Sequence, residues 1–160
     1  TYSSEWAGLF AAEKKLLQEC IGGYVLEIQH VGSTAIPGMS AKPIIDIGIA
    51  VADYEEANVC ISPIVGLGYE YRGTFGIALR HYFVKGEPRT HHIHMVEVTS
   101  PAWENLVLFR DYLIGHPDVA QEYIVVKESL AKQHAADRRA YLDGKAAFIE
   151  QVLEKARAER

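Results

Sequence analysis

Cysteine is scarce. Cys20 and Cys60 are the only two in 160 residues, too few and too isolated for a disulfide scaffold or a cysteine-based zinc site, so free thiols are expected. A surplus of positive charge is missing as well. Sixteen Lys and Arg stand against 21 Asp and Glu, a formal charge of −5, which disfavours an extended nucleic acid as partner. A small phosphorylated ligand needs only a local positive site. No apolar run reaches the roughly 18 residues of a membrane span, and no charged-then-apolar leader opens the chain; a cytoplasmic protein with no membrane partner is expected. Linkers rich in Gly and Ser, internal repeats and low-complexity runs are absent too. With 49% of residues apolar, a single domain over residues 1–160 is expected, large enough to bury a core.

Apolar periodicity predicts the elements. Ser3 or Ser4 caps a helix carrying Trp6, Leu9, Phe10, Leu16 and Leu17, which ends near Cys20 before Gly22-Gly23. Tyr24 to His30 reads as a first strand, followed by a tight small-residue turn stopped at Pro37-Gly38, and Ile44 to Val51 as a second, buried on both faces. Asp53 caps a helix from Tyr54 to Val65. Strands are expected over Tyr69 to Arg72, Ile77 to Lys85 and His91 to Val98, the last two joined as a hairpin through Gly86-Glu87-Pro88. Ser100-Pro101 opens a helix that stops at His116-Pro117, and the rest is helical with a break near Asp137 to Arg139. The fold class is α+β, a mixed sheet packed by helices with a C-terminal helical segment. Strands 1 and 2 are too close in sequence for a crossover helix and are expected as antiparallel or offset neighbours.

The stretch HVGSTAIPGMSAKPIIDIGI, His30 to Ile49, joins a small-residue turn to an acid on a strand. Gly32, Ser33 and Thr34 offer backbone N–H groups and hydroxyls with little bulk, and Asp46 interrupts an apolar strand. A Gly-Ser pair followed by such an acid resembles the nucleotidyltransferase signature. With its flanks, HVGSTAIPG and AKPIIDI, the stretch resembles the GrpB family, whose members carry a nucleotidyltransferase-like domain. Further pieces agree in order: Glu5-Trp6 with Phe10, Gly68-Tyr69, Arg89 before His92-Ile93-His94, the FRDYL of Phe109 to Leu113, and Tyr141, Lys145 and Phe148.

The resemblance implies binding of a nucleotide or related phosphorylated small molecule and Mg²⁺-dependent nucleotidyl transfer, with Mn²⁺ or Zn²⁺ as alternatives. It implies Asp46 as the catalytic acid and metal ligand. In that superfamily two acids stand two apart on one strand, with a third on a later strand. Here the position two beyond Asp46 is Gly48, so the carboxylate set is incomplete. Glu97 is the candidate third acid, but alternation along β-structure puts His92 and His94 on one face and Glu97 on the other, so His94 is ranked as Asp46's neighbour and second metal ligand. A binding-only protein using the same pocket is the closest competitor.

The substrate-binding candidates are Gly32, Ser33, Thr34, Lys42, Arg80, Arg89, His92 and His94. Lys42 precedes Pro43 and is held extended, where it meets either phosphate or a surface acid. Arginine's fork suits phosphate, with a salt bridge as the ordinary alternative for each. Arg110-Asp111 and Lys145 are read as bracing residues. A third reading is a metal-dependent hydrolase built on His92 and His94, completed by Asp46 or His81.

Overall fold

The apolar stretch Ile45–Val51 forms the second strand from one edge of a five-stranded sheet in the computed structural model, which describes residues 1–160. The strands are β1 (Glu27–Val31), β2 (Ile45–Val51), β3 (Tyr69–Tyr71), β4 (Arg80–Lys85) and β5 (His91–Glu97), in the order β1-β2-β5-β4-β3. β2 and β5 run parallel; the other pairs are antiparallel, so the sheet is mixed. The helices are α1 (Trp6–Ile21), α2 (Ile61–Gly66), α3 (Pro101–Gly115), α4 (Pro117–Gln133) and α5 (Arg138–Ala158). None is long and apolar enough to cross a membrane.

Side chains alternate across a strand, so register assigns each one a face. One face carries Ile28, Ile45, Ile47, Ile49, Phe83, Ile93 and Met95, packed with Trp6, Leu17 and Ile21 of α1 and with Ile64 of α2. Burying each large side chain there contributes roughly 1.5–3 kcal/mol. The other face carries Asp46, Gly48, His92, His94, Arg80 and Tyr82, because Asp46 pairs with His92, Gly48 with His94, and Tyr82 with His94.

Most element boundaries follow local chemistry. Ser100 Oγ accepts from the Trp103 N–H at 3.2 Å, and Asp137 caps α5 by accepting from the Ala140 N–H at 3.0 Å. Three expectations shift. β1 starts at Glu27 because Gly22–Tyr24 tightens into a 3-10 turn at the end of α1. The helix expected over 54–65 is a 3-10 segment, Glu56–Cys60, followed by α2: Pro63 has no N–H to continue a ladder and is tolerated only in a first turn. β4 starts at Arg80 instead of Ile77 because residues 73–79 form a loop whose Gly73, Phe75, Gly76 and Leu79 all hold positive φ.

Residues Thr1–Leu106 and Val107–Arg160 are two compact units. The first holds the sheet with α1 and α2. In the second, Tyr123 of α4 stacks on Phe148 of α5 at 5.5 Å and meets Phe109 of α3 edge-on at 5.3 Å.

Candidate functional site

Asp46 lies on β2 between Val31 of β1 and His92 of β5. Its side chain is 27% exposed, and its Oδ1 accepts from His94 Nε2 at 3.0 Å, with His92 Nδ1 at 3.5 Å. Burial pushes this carboxyl up, but hydrogen bonding to the two imidazoles outweighs it and holds Asp46 well below the ordinary carboxylate range. The remaining oxygen, Oδ2, faces Gly32: a Cβ built on that glycine would lie 2.6 Å from it. Gly32 also holds φ of +74°. Glycine is therefore required at this position on two counts, and the turn and the acid are brought into van der Waals contact.

Arg80 completes a chain of hydrogen bonds. Its guanidinium is buried; Nη1 lies 3.2 Å from His94 Nδ1, Nε donates to the Thr74 carbonyl at 3.3 Å and Nη2 to that of Phe75 at 3.2 Å. Arginine has no acceptor, so His94 Nδ1 is the acceptor and carries no proton. His94 Nε2–H then donates to Asp46. Both ring nitrogens are thereby engaged, and His94 cannot ligate a metal without giving up one of these bonds. No group of three His, Cys, Asp or Glu side chains is arranged to hold a metal ion.

Gly48, where a second acid would stand, faces an occupied space. A Cβ there would lie 3.1 Å from the Trp103 ring and 3.3 Å from Val31. Trp103 is buried. A second carboxylate is thus absent from the sequence and would crowd Trp103 and Val31 if introduced. Glu97 sits opposite Val51 on the far face, where it accepts from the Tyr54 N–H at 2.8 Å. Mg²⁺ prefers six oxygens in octahedral array; one carboxylate with a single uncommitted oxygen does not fit a two-ion site.

The other sequence candidates divide. Ser33 opens the 3-10 turn Ser33–Ala35 beside Asp46. Thr34 is buried and its hydroxyl bonds to His30 Nε2 at 2.9 Å and donates to the Ile44 carbonyl at 3.4 Å, so it locks the turn to the strand. Lys42 is exposed. Arg89 donates to the Gly86 carbonyl at 3.1 Å and pairs with Glu70 at 3.6 Å. His81 points to the opposite face from His92 and His94, buried between Tyr71 and Tyr54, and so cannot complete a metal set with them.

Two residues of the site went unread in the sequence. Tyr82 stands two beyond Arg80 on the same face, its ring 5.3 Å from His94 and 5.7 Å from His92, with the Arg80 guanidinium 4.3 Å above it. Strand period alone would have found it. Burial and the charge of Asp46 push its phenol up, and Arg80, Arg72 and Arg89 act in the opposite sense. Trp103 comes from a helix fifty-five residues beyond Gly48, and no local pattern signals it.

Comparison with known proteins identifies the family and the fold. The chain is 44% identical over 157 residues to the protein YqkA of Bacillus subtilis, covering 98% of this chain and 46% of YqkA, so it spans less than half of that relative. The crystal structure of GrpB from Enterococcus faecalis superposes with a TM-score of 0.87 at 33% identity, covering 97% of this chain and 94% of that one. The Cid1 poly(U) polymerase, in a MgGTP-bound structure, matches at a TM-score of 0.54 and 16% identity over 82% of this chain and 44% of its own, a likeness of fold. With the GrpB profile matching residues 1–155, the chain belongs to the GrpB family and has a nucleotidyltransferase-like fold.

Proposed function

We propose that this chain binds a nucleotide, or a similar phosphorylated small molecule, on the sheet face that carries Asp46, and that it does so without two-metal nucleotidyl transfer. The observation that carries the second half is Trp103 filling the space beside Gly48. Two-ion catalysis needs several carboxylates to hold the divalent cations that neutralise the charge building on the phosphoryl oxygens. Here one carboxylate is present, and one of its oxygens is held by His94.

The same geometry favours a binding role. Asp46 Oδ2, fixed beside Gly32, is an ionised acceptor suited to a ligand hydroxyl. The turn at Gly32-Ser33 and the side chains of Lys42, His92 and Arg89 are the groups assigned to the phosphates. Arg80 serves Asp46 through His94 and is a positioning residue. The hydrolase reading has less support, since both nitrogens of His94 are occupied within the protein.

The test is nucleotide-dependent thermal stabilisation, measured with Mg²⁺ and again with EDTA. Stabilisation is expected in both, weakened about tenfold in affinity in Asp46→Ala through loss of a hydrogen bond to a charged group. Release of pyrophosphate from a nucleoside triphosphate in the presence of Mg²⁺ would overturn the non-catalytic part. Absence of stabilisation by any nucleotide would remove the binding reading altogether.

A further inference from the structure

The loop 73–79 between β3 and β4 has an unusual backbone and an unusual surface. Phe75 and Leu79, neither of them glycine, hold φ of +47° and +57°, a region that side chains with a Cβ enter only when neighbours over-determine it. Arg80 supplies much of that determination by binding the carbonyls of Thr74 and Phe75. The loop does not bury its apolar side chains in return: Phe75 is 60% exposed, and Ile77 and Leu79 are exposed beside it. The guanidinium that fixes this loop is the one that sets the His94 tautomer.

The exposed ring is not isolated from the site. Phe75 lies 5.3 Å from Tyr82, and Tyr82 lies 5.3 Å from His94, which bonds to Asp46. Aromatic side chains thus run in a row from the loop to the acid. From β1, which leads into the Gly32 turn, to β4, which carries Tyr82, the sheet order gives three interstrand steps, about 14 Å at the usual spacing. That span exceeds one phosphate group and suits a nucleoside polyphosphate laid across the strands.

We infer that Phe75 is the stacking platform for the aromatic base of the ligand, with the phosphates directed toward the Gly32-Ser33 turn. This deepens the binding function proposed above and rests on it. The ligand class is thereby narrowed to one with an aromatic ring at one end and anionic oxygens at the other. The base recovers apolar area that the free protein leaves in water, and Arg72, whose guanidinium stands 5.9 Å from the Phe75 ring, adds a cation near the stacked pair.

The experiment is calorimetric titration of the whole chain with ATP, UTP and inorganic tripolyphosphate, in wild type, Phe75→Leu and Phe75→Trp. Both variants alter an exposed side chain, and unfolding curves check that each remains folded. Wild type is expected to bind a nucleotide more tightly than tripolyphosphate. Phe75→Leu should weaken the nucleotide about 5- to 100-fold, the range of a base stacked on an aromatic side chain, with tripolyphosphate unchanged. Phe75→Trp should retain affinity, and its fluorescence should be quenched by the nucleotide. Equal nucleotide affinity in wild type and Phe75→Leu overturns the inference, as does equal weakening of nucleotide and tripolyphosphate. Wild type that binds tripolyphosphate as well as either nucleotide overturns the platform and leaves an anion site standing. Binding of none of the three probes removes the underlying function, and the platform with it.

Discussion

His91 and His92 are adjacent on β5, point to opposite faces of the sheet, and each approaches a carboxylate. On the α1 face, Glu13 is enclosed: Tyr69 donates to Oε1 at 2.8 Å, Lys85 pairs with the same oxygen, and His91 stands 3.7 Å from Oε2. Its side chain is 7% exposed. On the other face Asp46 has both its imidazole partners on Oδ1, and its side chain is 27% exposed. Both acids are held below their ordinary range, Glu13 against burial by Lys85 and Tyr69, Asp46 against burial by His92 and His94. A lowered pKa therefore does not separate a structural acid from one poised for a ligand. Exposure does: the closed cluster joins a helix to a sheet, and the open one can be reached from solvent.

The comparison breaks most sharply at Glu13. Glu13→Ala leaves Lys85 without its partner in a site with little water, and is expected to lower unfolding free energy by about 3–5 kcal/mol in urea denaturation. A loss below about 1 kcal/mol would mean that the cluster is not closed as described. Gly48→Asp should cost less, about 1–3 kcal/mol by crowding Trp103 and Val31, and should create no Mg²⁺-dependent activity. Stability equal to wild type in this variant would show that the space is open after all.

The smallest effect is one of pH, at His91. Burial pushes this imidazole down, the attraction of Glu13 notwithstanding, and Lys85 adds to the fall. The folded chain therefore binds a proton at His91 less readily than the unfolded chain, whose histidines titrate near 6.5. As pH falls from 7 to 5 the unfolded state gains protons first, so stability declines. The share from His91 should be under about 1 kcal/mol, and His91→Gln should flatten the profile of Tm against pH in that window. An unchanged profile would sink the assignment.

Much of this was legible in the sequence wherever one strand or one turn decides the outcome. Period two placed His92 and His94 together and Glu97 apart, as the register shows. Ser100 marks its helix, the break read near Asp137 falls where α5 begins, and the short link between β1 and β2, which allowed an antiparallel or an offset pair, joins an antiparallel one. What stayed hidden depends on partners far along the chain. Arg80 reads as a phosphate-binding candidate or a salt-bridge partner, yet it is buried and tied to both a loop and His94. His81 reads as a metal candidate until the sheet assigns it the other face. Residues 77–79 have strand composition, but the Arg80 anchor and a run of positive φ keep them in a loop.

Because Trp103 and Gly48 fit each other, the absence of a second acid is hard to reverse. Installing the acid alone collides with the indole; trimming the indole alone leaves a void beside the glycine. Each single change is expected to lower stability. The glycine and the indole are therefore a matched pair, and packing beside β2 resists change from either side.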